Sequence, residues 1–366
     1  MSTPSSGPLS GLRIVEFAAI GPAPFAGMLL ADMGAQILRI EPPREREARM
    51  PIDAQRDPLL RGRIHLTLDL KQPEARERLL SILPHTDVLI EGFRPGVMER
   101  LGLGPQECLA RAPRLVYGRM TGWGQSGPLA ATAGHDPTYI AITGALHAMG
   151  YPDRPPTPPL NIVGDFAGGA LYLVMGILAA LLHARACGQG QVVDASIIDG
   201  TTSLMTMVYG LFAAGLWSDH RGTNLLDGSC PFGTAYETAD GQYMAVCALE
   251  PSFYAELLRR LGLDPASLPA QWDREHWPIL GQRFAAVFRQ RSRAEWTEHF
   301  TGSDACVSPV LSVAEAPAHP HNQARGAFID GIPAAAPRFS ATPTQHAARH
   351  SELPHELLRR WGVPPR

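Results

Sequence analysis

One residue type is nearly missing. Lys71 is the only lysine in 366 residues; arginine replaces it along the whole chain, as a codon bias would produce, so its solitude carries little weight. Charge is sparse as well: 18% of the residues are charged, the formal net charge is -3, and no run of one sign occurs. That excludes the basic footprint that nucleic acid or an anionic membrane surface requires. The expected partner is therefore a small molecule or a second copy of the chain. Five cysteines (Cys108, Cys187, Cys230, Cys247, Cys306) are scattered, odd in number and without metal-ligand spacing. They argue against a disulfide framework and against zinc, and for a reducing compartment. The opening MSTPSSGPLSG lacks a basic and then apolar leader, and the closing VPPR is no peroxisomal or retention signal. The expected location is the cytoplasm. There is no internal repeat, and Phe166 to Leu182 is uncharged over 17 residues. It reaches the lower edge of what spans a bilayer, but its early glycines, its leading Asp165 and the lack of a second such segment predict a buried interior helix, covered on every side.

What is present is a hydrophobic fraction of 45%, enough to bury a large core in two domains. Arg13 to Phe17 reads as a strand, Phe25 to Met33 as a helix, and Gln36 to Ile40, ending at Glu41, as a second strand. A helix over Glu74 to Leu83 and strands over Asp87 to Ile90 and Leu115 to Met120 continue the alternation, which predicts a Rossmann-like parallel sheet covered by helices. A long helix follows Asp165, and a second, mostly apolar one covers Ser203 to Trp217. The texture then changes. Thr234 to Thr238 and Gln242 to Cys247 flank an Ala-Asp-Gly turn, a hairpin signal, and helices follow over Ser252 to Leu261 and Trp277 to Gln290. The expected organisation is a large α/β domain over residues 1–200, a linker helix over 201–225, a smaller α+β domain over 226–310, and a segment 311–366 that returns to the large domain. The loop AAIGPAPFAG lacks the G-x-G-x-x-G that a nicotinamide dinucleotide needs.

Three residues could carry chemistry. His135 precedes Asp136-Pro137, a cap and first-turn proline that open a helix; the partial positive charge there disfavours imidazolium and suits a general base. On spacing alone a plain turn histidine beside a capping Asp136 fits as well. His147 reads as a core or rim histidine on the apolar side of the same helix. Asp165, in NIVGDFAGG, immediately precedes a long helix and could simply cap it. Glu250 ends an apolar strand in YMAVCALEPSFY, where site residues often lie, although a single glutamate there is weak evidence.

The blocks GLRIVEFAAIGPAPFAGMLLADMGAQILRIE, EGFRPGVMERLGLG, YGRMTGWGQSGPLAATAGHDPTYIAITGALHAMG, NIVGDFAGG, GQGQVVDASIIDG and ADGQYMAVCALEPSFYAELL together resemble the α-methylacyl-CoA racemases of the class III (CaiB/BaiF) CoA-transferase superfamily. The resemblance runs from about Gly11 to about Ala316 and thins through the proline-rich tail. It implies inversion of the α-carbon of a 2-methylacyl-CoA through an enolate, with His135 (from GHD) and Asp165 (from GD) as the two acid/base groups and no metal. Glu250, from LEP, matches an acidic residue that orients the histidine, contributed by the partner's small domain in an interlocked homodimer. CoA is part of the substrate and no separate cofactor is implied. Arg94 and Arg100 match the nucleotide-binding block, Arg39 and Lys71 are further candidate contacts, and Ile20, Gly92 and Tyr139 could line the CoA channel. For each of these cations the plain alternative is a solvated surface charge. Asp136 is expected to cap, with a secondary chance of touching substrate. The enolate oxygen needs preorganised donors, expected from the helix after Asp165, where Gly168 and Gly169 would leave amides accessible. The loop Pro42 to Leu60 matches poorly, which leaves the adenosine contacts open.

The competing reading is a CoA transferase of the same superfamily, with Asp165 as nucleophile forming an acyl anhydride. His135, and the lack of a run of four glycines between Thr234 and Glu250, favour the racemase. A non-catalytic CoA-binding protein would keep Arg94 and Arg100 without needing both proton-transfer groups.

Overall fold

The computed structural model describes residues 7–43, 57–344, 346–347 and 352–365; the adenosine contacts left open in the loop Pro42 to Leu60 fall mostly on 44–56, outside them. The chain forms two compact units, one made of residues 1–145, 159–206 and 329–366, the other of 146–158 and 207–328.

The chain runs through β1 (Arg13–Phe17), α1 (Pro22–Asp32), β2 (Gln36–Glu41), β3 (Arg63–Thr67), α2 (Pro73–Ile82) and β4 (Val88–Glu91). Then come α3 (Val97–Arg100), α4 (Pro105–Arg111), β5 (Val116–Thr121), α5 (Asp136–Ala141) and α6 (Ala145–Ala148). A π-helical stretch, Ile162–Leu171, continues directly as α7 (Tyr172–Cys187), followed by β6 (Val192–Ser196) and α8 (Ile197–Leu204). Proline stands in the first turn of α1, α2 and α4, where its missing N–H has no intrahelical partner to lose.

The six strands pair in parallel in the order β3-β2-β1-β4-β5-β6. Successive residues of a strand face opposite sides, so each side of the sheet has its own core. Ile14, Ile37, Val88 and Val116 pack with Leu30 of α1 and Ile177 of α7. Val15, Leu38, Leu89 and Tyr117 pack with Leu79 of α2 and with Leu357, Leu358 and Trp361 from the end of the chain. The order reverses between β1 and β4, and in such sheets ligands bind in the crevice beyond the carboxyl ends of the strands at that point.

Several expectations change. β3 and β6 were not read from the sequence; they are the two edges of the sheet, and RIHLT and VVDAS show the mixed exposure of edge strands instead of continuous burial. The apolar helix begins at Ile162, before Asp165, and is not covered on every side: Leu173, Val174, Ile177 and Leu181 are buried, but Met175 is 59% and Leu182 68% exposed. The single helix expected over Ser203 to Trp217 is divided at Met205, whose N–H is shared between the carbonyls of Thr201 (3.2 Å) and Thr202 (3.1 Å), a tightening that ends α8.

Arg39 is also not a solvated surface charge. It is 5% exposed; its Nη1 lies 2.5 Å from Glu16 Oε1 and its Nε 3.2 Å from Glu41 Oε1, while Arg63 Nε meets the other oxygen of Glu16 at 2.9 Å. Gly27 makes room for this cluster, since a Cβ there would stand 2.5 Å from Arg63 Nη2 and 2.6 Å from Glu16 Oε2. The guanidinium expected to meet phosphate is committed inside the sheet.

The second unit holds most of α9 (Thr206–Ala213) and all of β7 (Gly233–Glu237), β8 (Tyr243–Cys247), α10 (Pro251–Leu261), α11 (Trp277–Phe288), α12 (Arg293–Phe300), β9 (Val307–Pro309) and α13 (Pro320–Ala324). Its strands form an antiparallel sheet, β7-β8-β9. The expected hairpin turns at Gly241, whose φ of 70° suits glycine. Its core is aromatic: Tyr236 stacks on Phe288, which packs on Trp296 and Phe300. The chain then re-enters the first unit and closes with α14 (Pro354–Arg360).

Candidate active site

β1 delivers the chain to the crevice end of the sheet at Ala18 to Gly21. Gly21 has φ 71°, and a Cβ on it would lie 3.0 Å from Asp165 Oδ2. Glycine therefore meets two demands there: a left-handed backbone and contact with a carboxylate. Asp165 sits inside the π-helical turn, not ahead of a helix. Its side chain does not cap; instead its own N–H donates to Asp136 Oδ2 at 2.6 Å, so Asp136 serves the neighbouring helix and not the helix it begins. Asp136 is 3% exposed. The extra residue per turn shows in the Phe166 N–H, which reaches back to the Asn161 carbonyl at 3.2 Å.

The Asp165 carboxyl is half-buried and accepts from Asn161 Nδ2 at 3.3 Å. Burial pushes it above the usual carboxylate range against the Asn161 hydrogen bond; the Asp136 charge raises it further and His135 draws it back. His135 and Asp165 are thus electrostatic neighbours in one unit. His135 is exposed, at the cap position of α5. Its N–H donates to Thr138 Oγ1 at 3.0 Å, and that hydroxyl donates to the His135 carbonyl at 2.7 Å, fixing the backbone that carries the imidazole.

Tyr139 walls the site. Its ring stands edge-on to Trp123, centroids 4.8 Å apart, and lies so close to Gly122 and Gly134 that a Cβ on either would come within 2.0 Å or 2.5 Å of Cε1. Its hydroxyl donates to the Gly134 carbonyl. Burial raises its phenol, as does the Asp165 charge, while Arg94 lowers it. Arg94 is exposed on the turn after β4. Sequence reasoning missed what holds that turn: Glu91, fully buried, accepts from the Phe93 N–H at 2.7 Å and pairs with Arg119 at 2.9 Å. Arg100 and Lys71 are exposed, as is Ile20. Gly92 admits close loop packing, a Cβ there falling 3.0 Å from the Ala19 methyl.

Two expectations fail here. Gly168 and Gly169 do not open amides to a ligand; both are buried, and their missing side chains let α8 and α1 pack close, a Cβ on Gly168 falling 2.4 Å from Thr201 Oγ1 and one on Gly169 3.2 Å from Pro22 Cβ. The Asp165 amide of the π turn is already spent on Asp136. His147 lies on its own short helix, exposed, with Nε2 3.1 Å from the Asp219 carbonyl. Glu250 belongs to the second unit, at the cap position of α10, exposed, and its carboxylate does not fold back on that helix. Asn161, at the cap position of the π turn, was not singled out by the sequence reading, which began the helix only after Asp165.

An open parallel α/β sheet with acid and base groups gathered past its switch point defines a crevice enzyme. The chain belongs to CoA-transferase family III, whose model matches residues 9–360. It is 43% identical over 363 residues to the α-methylacyl-CoA racemase of Mus musculus and 44% identical over 363 residues to that of Homo sapiens, covering 97% of this chain and 93% of each relative. Its fold is similar to a CaiB/BaiF family protein from Brucella suis, with a TM-score of 0.81 at 26% identity over 98% of this chain and 100% of that one.

Proposed function

We propose that this protein is an isomerase that inverts the α-carbon of 2-methylacyl-CoA thioesters by a two-base, 1,1-proton transfer. The observation that carries the reading is a half-buried carboxyl beside Gly21, raised toward its protonated form, on which the charge of the exposed His135 acts. One group withdraws the α-proton while the other returns a proton to the opposite face, so His135 and Asp165 exchange roles with direction. Positioned proton transfer contributes on the order of a hundred- to ten-thousand-fold. The negative charge that develops on the thioester oxygen needs fixed dipoles. With the Asp165 amide spent on Asp136, the source we assign is the dipole at the amino-terminal end of α1, directly after Gly21, where Pro22 and Pro24 carry no N–H and Ala23 holds the first amide.

Arg94, Arg100 and Lys71 hold the phosphates of CoA in this reading, with Tyr139, Ile20 and Gly92 along its path. CoA enters as part of the substrate, and the chemistry calls for no separate cofactor. We assign Glu250 to the orientation of His135 across an interlocked homodimer. What supports a second copy is apolar surface in each unit: Leu171, Met175 and Leu182 in the first, Met207, Tyr209 and Phe212 in the second. The transferase alternative needs only the Asp165 carboxylate and gives His135 no task; the curated relatives quoted above are named racemases.

The test is incubation of a single-enantiomer 2-methylacyl-CoA in deuterated water without acceptor acid. The expected result is α-deuteration with loss of enantiomeric purity, abolished in His135→Ala and in Asp165→Asn. Absence of exchange, with CoA transfer once an acid is supplied, overturns the proposal.

A further inference from the structure

We infer that Asp136 is a positioning residue for this proton transfer: its buried carboxylate ties down the amide of the π-helical turn that carries Asp165 and sets a fixed negative charge behind the Asp165 carboxyl. The inference rests on the racemase reading of the site and deepens it.

Asp136 is 3% exposed, and of its two oxygens Oδ2 takes the Asp165 N–H at 2.6 Å while the buried Oδ1 has no hydrogen-bond partner. A buried carboxylate with an unsatisfied oxygen is costly. A cap alone would be met by serine or asparagine without that cost. The site is shaped around this carboxyl: Gly164 admits no side chain, since a Cβ there would lie 2.3 Å from Oδ2. Burial raises the carboxyl, and the amide hydrogen bonds of Asp165 and Gly164 favour its ionised form against that burial. The turn gains from the contact because a π turn leaves its amides poorly paired, and the amide being held is that of Asp165 itself. Any shift of the Asp136 carboxylate therefore moves the Cα from which the reacting carboxyl hangs.

The charge acts on the same group. Among the described residues, the ionisable side chains acting on Asp165 are those of His135 and Asp136, at the start of α5. Those on the other elements packed against the π turn are engaged elsewhere or distant. Asp32, at the far end of α1, pairs with Arg61. Asp199 of α8 is bound to Ser196 Oγ, Arg119 of β5 to Glu91 and Glu99, and Asp194 of β6 to the Gln125 N–H. His183 and Arg185 stand in the last turns of α7. Asp136 is the one negative neighbour, and it favours a protonated Asp165 against the pull of His135.

The experiment is a carboxyl-13C NMR titration of the full-length protein labelled at aspartate, with Asp165→Asn to assign the signal, in wild type and in Asp136→Asn, which keeps an acceptor for the Asp165 N–H but removes the charge. Asp136→Ala, which removes both, is compared by steady-state exchange. The Asp165 signal is expected to titrate at lower pH in Asp136→Asn than in wild type, and Asp136→Ala to lose kcat on the order of a hundredfold with KM nearly unchanged, the scale of a misplaced reacting group. An unmoved titration in Asp136→Asn overturns the inference. So does failure of both variants to fold, which would give Asp136 to the fold alone. The titration needs no turnover, so a wild type that exchanges no α-proton counts against the racemase reading while a shifted signal still supports the coupling.

Discussion

Gly21 and Asp165 meet at van der Waals range: a methyl group on Gly21, whose φ is 71°, would stand 3.0 Å from the carboxylate oxygen of Asp165. Gly21→Ala then combines a left-handed backbone, costing about 1–2 kcal/mol for a residue with a Cβ, with displacement of the reacting group. The expected outcome is a loss of kcat on the order of a hundredfold, with little change in KM and a modestly lowered melting temperature. Exchange kinetics and a thermal melt on the same sample check it.

Two classes of arginine should separate cleanly. Arg94→Ala and Arg100→Ala remove exposed cations and are expected to raise the KM for acyl-CoA more than they lower kcat, leaving the melting temperature unchanged. Arg39→Ala strips one of two guanidinium partners from the fully buried Glu16, which keeps Arg63, and is expected to cost about 1–3 kcal/mol of stability, the range for one lost buried hydrogen bond. Denaturant unfolding of the three variants, beside their kinetics, decides the assignment; equal KM values for wild type and Arg94→Ala would remove that residue from the site.

The raised carboxyl of Asp165 has a thermodynamic signature. A group whose folded value lies above its unfolded one binds more protons when folded, so the stability it contributes is complete below the unfolded value and is lost as pH rises through the folded value. Asp165→Asn cannot ionise there. It should melt above wild type at neutral pH, and the gain should vanish as the solution is acidified. Melts across a pH series check the sign.

The apolar stripe of α7 gives a test of assembly. Leu182 is 68% exposed, so Leu182→Glu should leave the isolated fold intact while disfavouring association through that face. Sedimentation or light scattering is expected to show a lighter species than wild type, with activity falling in parallel. A variant that assembles as wild type does would move the interface elsewhere.

The central strands were legible because adjacent apolar residues, Ile14-Val15 in β1, Ile37-Leu38 in β2 and Val88 to Ile90 in β4, stand side by side, as burial on both faces demands. The edges were not: β3 carries Arg63 and His65, and β6 follows two glycines. His135 and Asp165 were visible as residues of suggestive type, yet nothing local in HDP or GDF distinguishes a cap from a reacting group. Asp136 illustrates why. A carboxylate just inside a helix start reads as a cap for that helix, and only tertiary packing reveals that its hydrogen bond goes to a residue 29 positions on. Arg39 misled for the related reason that an arginine in a strand looks the same whether it faces water or a buried glutamate.

Trp361 Nε1 reaches Gln36 Oε1 at 2.7 Å, a link between residues 325 positions apart, and Leu357, Leu358 and Trp361 close one face of the parallel sheet. On a ribosome that adds about 5–20 residues per second, the strands therefore emerge long before the helix that seals them. The nascent sheet must wait with part of one oily side bare, and a chain clipped just ahead of Pro354 would be a ready client for chaperones.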